Sequence, residues 1–290
     1  MRLENKVRVV SHFCGSAAMN LAREEALFLR SVDELKIKGS FNPIIGLYSF
    51  SRPSVILGNQ QPISEVDAHY CDENDIDITM RKTGGGSVFL SPEEMQYFYI
   101  LPFKYSRDLL RRINIRIQAG LGDAGFSSQL RLINNHHVLR IGKDNSFVFD
   151  AQRSRIVYRG DINNPAHILL HHGTILIDDK DYGHMPHALK APPEIAMKLQ
   201  KGNLWLRNEQ ELKIGRLIQV LQKNLPFYAK TYRKDFSSDE LELAQKLYDE
   251  FYSIRSKFSC GKKSYGICYI PGPDYDMEKY RVNEVDEIEA

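Results

Sequence analysis

Three consecutive glycines, Gly84-Gly85-Gly86, sit between two apolar, strand-like runs: Ile76-Asp77-Ile78-Thr79-Met80 before them and Ser87-Val88-Phe89-Leu90 after. Arg81 and Lys82 stand at the entrance to this loop, and Thr83 directly precedes the first glycine. Glycine opens backbone angles closed to other residues and lets a ligand approach the main chain. A run of glycines at a strand end exposes N–H groups that can cradle a carboxylate or a phosphate. A lone triglycine is most simply a hairpin turn, so its neighbours decide what it is for.

The chain before the loop alternates helix and strand. Asn20 to Leu35 mixes strong helix formers with an apolar stripe. Two short strands follow, Ile45 to Phe50 and Ser54 to Leu57, parted by Pro53 and closed by Gly58-Asn59-Gln60-Gln61-Pro62. Ser64 to Asn74 reads as a helix capped by Ser64. Beyond the loop, Met95 to Phe103 is dense in aromatic and branched residues, as a buried strand requires. Tyr105 to Gly125 is an amphipathic helix whose arginines form a solvated face. From Ser127 to Asp179 the pattern is strand after strand: 130–133, 138–141, 147–149, 155–158 and 168–177. Helices are predicted at 182–189, from Ala191 to Gln200, and at 209–225 and 238–254, with a polar stretch, Arg233 to Ser237, before the last. The sum is an α+β fold: a mixed, largely antiparallel central sheet flanked by helices, with a small helical C-terminal region. The composition shift after Gly202 divides the chain into a catalytic domain, 1–205, and an accessory region, 206–290, ending in an acidic tail.

Composition narrows the function classes. Of 290 residues, 42% are hydrophobic and 26% charged, ordinary for a soluble globular protein. A net charge of +2 gives no general drive toward nucleic acid or acidic membrane. No apolar run approaches the roughly 20 residues a membrane helix needs, and Met1 to Val10 lacks a signal peptide's apolar core. The expectation is a cytoplasmic protein with no nucleic-acid or membrane partner. The four cysteines, Cys14, Cys71, Cys260 and Cys268, form no Cys-x-x-Cys pair, and the adjacent histidines His136-His137 and His171-His172 lack zinc-protease spacing, so no metal site is predicted.

Five pieces, in order, resemble the lipoate-protein ligase A family. The loop Arg81 to Phe89 is similar to its Arg-Arg-x-Ser/Thr-Gly-Gly-Gly-Ala-Val segment, and Val55-Ile56-Leu57-Gly58-Asn59-Gln60 to its strand-Gly-x-x-Gln segment. Asn20-Leu21-Ala22-Arg23-Glu24-Glu25 resembles its first helix, and Leu170-His171-His172-Gly173-Thr174-Ile175-Leu176 its His-Gly-Thr strand. Lys198 to Gly202, with Arg207-Asn208, resembles the exit from its catalytic domain. The resemblance implies the biotin/lipoate ligase fold and activation of lipoate, or octanoate, by ATP with Mg2+ to an acyl-adenylate. It implies transfer to a lysine of a lipoyl carrier domain, in a 2-oxoacid dehydrogenase or a glycine cleavage H protein. It places Gln60, Arg81, Thr83, Gly84, Gly85, Gly86, Ser87, Val88, His172, Gly173 and Thr174 at the substrate and adenylate. An apolar tunnel for the acyl tail is expected from Val88, Phe89, Tyr97 and Tyr99.

The family's lysine segment is matched by Ser154-Arg155-Ile156-Val157-Tyr158-Arg159, so Arg155 occupies the place of a catalytic lysine and Tyr158 that of a glycine. Arginine keeps the charge but is longer, planar and forked. Lys143 is a second source of a cation. Leu90-Ser91 and Glu93-Glu94-Met95-Gln96 replace the family's polar residues after the loop. Three readings follow: a ligase with an altered site; a relative that binds a lipoyl domain, a ligase partner or an acyl ligand without turnover; and an octanoyl or lipoyl transferase using a cysteine thioester, for which Cys14 and Cys71 are the candidates. A second ligase subunit is a further candidate partner, since some family members are split between two chains.

Overall fold

The computed structural model describes residues 6–59, 61–84, 87–92, 94–102, 107–123, 128–133, 136–141, 146–157, 166–175, 181–190 and 230–253. The first long element is helix α1, Ala17–Lys38. Ser16 caps its start by accepting the Met19 N–H, and Gly39 ends it in the left-handed region at φ 80°. Leu27, Phe28, Ser31 and Leu35 are buried along one face, and so are the polar Asn20 and Glu24.

That face lies on a large mixed sheet. Its strands are β1 Lys6–Val9, β2 Phe13–Gly15, β3 Ile44–Phe50, β7 Met95–Leu101, β8 Ser128–Ile133, β9 His136–Ile141, β10 Ser146–Val157, β11 Ala166–Ile175 and β12 Lys230–Arg233. They run in the order β12-β1-β3-β7-β11-β10-β9-β8, with β2 beside β3. β7 is buried along its whole length, as a central strand with both faces covered must be. A small second sheet carries β4 Ser54–Leu57 between β5 Asp77–Met80 and β6 Val88–Leu90.

Register decides which side chains share a layer. Gln96, Phe98 and Ile100 of β7 pair with Tyr48, Gly46 and Ile44 of β3, and with Thr174, His172 and Leu170 of β11. Strand side chains alternate between faces, so this row faces α1, where Ile44, Tyr48, Phe98, Ile100 and Leu170 join the main core. Gly46 is required here: a Cβ on it would stand 2.3 Å from the Phe98 ring. The opposite row carries Tyr97, Tyr99 and His171, whose rings lie against one another. The small sheet turns Ile56, Val88 and Leu90 to the main core. Its other side, Val55, Leu57, Ile78 and Phe89, forms a second core with Val66, Cys71, Met185 and Ala188.

Several expectations change in detail. The predicted 64–74 helix is a short 3-10 turn, Ile63–Glu65, followed by α2, Ala68–Glu73, with Asp67 rather than Ser64 as the cap. Two predicted strands at 147–149 and 155–158 are one strand, β10, because a continuous ladder with β11 runs from Val148 to Val157. Helix α3 spans Arg107–Asp123, and a 3-10 turn, Tyr182–His184, leads into α4, Met185–Ala188. β1, β2 and β12 were not anticipated. The helices predicted at 191–200 and 209–225, and the expected domain boundary near 205, lie outside the described residues.

The last described segment packs on the same core. β12 pairs in parallel with β1. Helix α5, Ser238–Leu247, starts with a capping box between Ser237 and Glu240. Arg8 donates to both Glu240 carboxylate oxygens at 2.6 and 2.8 Å, and to the backbone carbonyls of Lys234 and Asp235. Burial pushes the Glu240 carboxyl up, but the bonds from Arg8 and Ser237 outweigh it and hold it below the usual range. Ala244, Leu247 and Tyr252 close over α1. A π turn, Tyr248–Tyr252, ends the segment.

Candidate active site

The glycine loop joins β5 to β6, and its Thr83 reaches the main sheet. The Thr83 hydroxyl lies 2.9 Å from His172 Nε2. The other ring nitrogen, Nδ1, lies 2.6 Å from Glu24 Oε1 on α1, and Glu24 Oε2 accepts the Tyr48 hydroxyl at 3.1 Å. One polar chain, Tyr48–Glu24–His172–Thr83, therefore crosses from β3 through α1 and β11 to the loop. It is nearly sealed from solvent: Glu24 is 2% exposed, Thr83 1% and His172 7%. Burial, then the Glu24 charge, raises the Tyr48 hydroxyl well above its ordinary pKa, so it remains a donor.

Gln96 and Thr174 lie one row along. The Thr174 hydroxyl donates to the Gln96 side-chain oxygen. The Gln96 amide nitrogen is buried with no hydrogen-bond partner among the described residues. A buried amide donor left unpaired costs about 1–3 kcal/mol. In the row that holds Tyr48 and His172, it marks a place where a polar ligand atom fits.

Arg81 is anchored to the glycine loop and to β4. Its guanidinium points inward and donates to the Gly84 carbonyl at 2.7 and 3.2 Å and to the Ile56 carbonyl. Burial lowers its pKa to about 10, which leaves it charged at neutral pH. In this position it braces the loop entrance against β4. Asn59 N–H donates to the Thr83 carbonyl and completes the brace. On the exit side, the Ser87 hydroxyl donates to Gln61 Oε1 at 2.8 Å, which also accepts the Gly58 N–H. Lys82 lies over the Phe251 ring, 3.1 Å from its centroid, and Thr79 donates to the Tyr252 carbonyl. The end of the C-terminal segment is thus seated beside the loop.

The structure brings Arg81, Thr83, Gly84, Ser87, His172 and Thr174 into one neighbourhood. Gly173 pairs with Tyr97 in the ladder beside them. Gln60, Gly85, Gly86 and Lys143 lie outside the described residues. Arg155 pairs with Ile168, whereas Ala151 is the partner of His172. At about 3.3 Å per residue, that sets the Arg155 backbone about 13 Å along β10 from the His172 level. The expected four-residue tunnel does not form. Val88 faces the main core and Phe89 the second core, while Tyr97 and Tyr99 lie on the sheet's far face with His171. Cys71 is buried in the second core, and Cys14 is exposed on β2. Among the described residues no cluster of His, Cys, Asp or Glu could hold a metal ion, and no helix is long and apolar enough to cross a membrane.

Glu24, Tyr48, Gln61 and Gln96 were missed in the sequence. Two had a usable signal. Glu24 stands four residues after Asn20 on a core-facing helix, where an acid needs a partner. Gln61 is the third residue after Gly58 and so completes Gly-x-x-Gln better than Gln60.

Comparison with known proteins agrees with this fold. Residues 16–146 match the lipoyl protein ligase A/B catalytic domain. A 55-residue stretch is 38% identical to lipoate–protein ligase 1 of Staphylococcus aureus; it covers 19% of this chain and 17% of that protein's length. The fold superposes with a TM-score of 0.68 on a bipartite lipoate protein ligase from Thermoplasma acidophilum, solved in a study that included its E2 lipoyl domain, at 19% identity over 87% of this chain and 94% of the other. A lipoate-protein ligase A bound with ATP gives a TM-score of 0.67, at 19% identity over 87% and 96% of the two chains. The catalytic-domain match begins at the cap of α1 and runs through the glycine loop, so the stretch that carries the site is similar to lipoyl protein ligase A/B catalytic domains.

Proposed function

We propose that this protein activates lipoate or octanoate with Mg–ATP to an acyl-adenylate and passes the acyl group to a lysine of a lipoyl carrier domain. The observation that carries this reading is the bond between Thr83 of the glycine loop and His172 of the His-Gly strand. It joins the two segments that resemble the family most closely into one polar site. Thr83, with the unpaired Gln96 amide in the next row, offers groups for an acid's carboxylate. Glycine-loop N–H groups suit the developing charge on carbonyl and phosphate. Attack by the carrier lysine on the adenylate needs no protein nucleophile, so alignment supplies most of the acceleration. The similarity to a structure bound with ATP, and to one studied with a lipoyl domain, supports both halves of the reaction.

Lipoate- or octanoate-dependent exchange of pyrophosphate into ATP tests the first half, and a mass gain on an isolated lipoyl domain tests the second. Folded protein that shows neither with either acid overturns the proposal.

A second reading is favoured by one observation, the distance of Arg155 along β10 from the His172 level. In that case the protein binds a lipoyl domain or an acyl ligand without forming the adenylate. Tight binding with no exchange is its signature. Recovery of exchange in Arg155→Lys would instead identify Arg155 as the altered lysine position.

A further inference from the structure

We propose that the Glu24–His172 pair is a proton-linked switch that sets the hydrogen-bonding polarity of the Thr83 hydroxyl, so that the site takes up one proton when it binds a carboxylate. The inference rests on the functional reading above and concerns how the acid is recognised.

The geometry restricts the pair to two states. Glu24 uses one oxygen for Tyr48 and the other for His172 Nδ1. An ionised carboxylate only accepts hydrogen bonds, so Nδ1 carries a hydrogen in both states. Only Nε2 is left to change. When Nε2 is bare it must accept, and the Thr83 O–H donates to it. The threonine then presents only lone pairs to the site and repels a carboxylate. When Nε2 is protonated it donates to Thr83 Oγ1. The threonine hydrogen is released from the histidine and can turn to a carboxylate oxygen. The imidazolium is balanced by Glu24 at 2.6 Å within a largely buried site. A carboxylate ligand selects this state and a neutral amide does not.

The surrounding titratable groups leave the change to this pair. Tyr48, across Glu24, is held protonated by burial and by the Glu24 charge. His171, on the far face, stays neutral because burial, then His172, pushes it down to about 3. Arg81, behind Thr83, stays charged. Tyr252 adds to the field at Tyr48.

Calorimetry of octanoate and octanamide binding, in two buffers of different ionisation enthalpy near neutral pH, reads the proton directly. The expected result is uptake approaching one proton with octanoate and none with octanamide. Octanoate affinity should fall as pH rises, because binding takes up a proton. His172→Gln keeps a donor toward Thr83 and should bind octanoate with no uptake and a flat pH profile. Glu24→Gln removes the balancing charge and should lose uptake and affinity together, with each variant's melting curve confirming its fold. Octanoate binding to the wild type without uptake, or uptake surviving in His172→Gln, overturns the switch and leaves the ligase reading standing. Failure of octanoate and lipoate to bind at all overturns both.

Discussion

His171 lies between Tyr97 and Tyr99, wholly buried, with neither ring nitrogen hydrogen-bonded among the described residues. Burial, then the neighbouring His172, drives its pKa to about 3 from an ordinary 6.5. The unfolded chain therefore takes up this proton first as pH falls. Stability from this residue is fully present above about 6.5 and is lost progressively down to about 3. His171→Leu should fold, since an unpaired polar ring gives way to an apolar chain. It should also flatten the fall in urea midpoint between pH 7 and pH 4, and a variant with the wild-type slope would show that other groups carry it. Gly46 gives a prediction of opposite sign. Gly46→Ala drives a methyl into the Phe98 ring and should cost about 1–3 kcal/mol, read as a lower urea midpoint with unchanged m. The sequence signals at these residues were uneven. His171 and His172 were legible as neighbours on opposite faces of a strand. The resemblance named His172, but the partners of its ring were not legible, because they depend on pairing with β7 and on a helix more than a hundred residues upstream. Arg81 was legible as a loop residue, but its inward bonds to Gly84 and Ile56 depend on a loop shape that charge alone does not encode.

At the scale of elements, the informative contact is the end of the π turn on the glycine loop. Phe251 under Lys82 and the Tyr252 carbonyl on Thr79 hold both sides of the loop entrance. A cation over an aromatic face contributes about 0.5–2 kcal/mol. Phe251→Leu keeps an apolar side chain but removes the ring face. Under the proposed function, the expected outcome is a higher KM for the acid or ATP with little change in melting temperature. An unchanged KM would show that the loop holds itself. Long or strongly patterned elements such as α1, β3, β4 and β7 were readable from periodicity, residue type and bounding turn residues. β1, β2 and β12 were not, because strands of three or four residues carry too little pattern. β10 was read as two strands because Asp150-Ala151-Gln152-Arg153-Ser154 interrupts the apolar run, yet its ladder to β11 continues unbroken. The tunnel prediction failed for a related reason. Alternation along one strand is legible, but which face meets which layer is settled only when the sheets stack.

Across the whole molecule, both ends of the described chain meet at β1. That strand lies between β3 and β12, and its Arg8 is bonded to Glu240 in a bidentate, buried pair. Removing one partner of such a pair is expected to cost about 3 kcal/mol. Arg8→Met should therefore lower the urea midpoint strongly, while Arg8→Met combined with Glu240→Leu should recover most of the loss. A double variant no better than the single would show that the backbone bonds to Lys234 and Asp235 dominate. The same arrangement governs how the protein is made. A strand from the start of the chain has its neighbour 224 residues later, at the Lys6–Lys230 pairing, and α1 waits for Tyr252 to complete its cover. Until that last helix emerges from the ribosome, the nascent chain carries an open sheet edge and an uncovered helix face. Folding to the finished site thus waits for the segment from 230 to 253, which acts as its closing stitch.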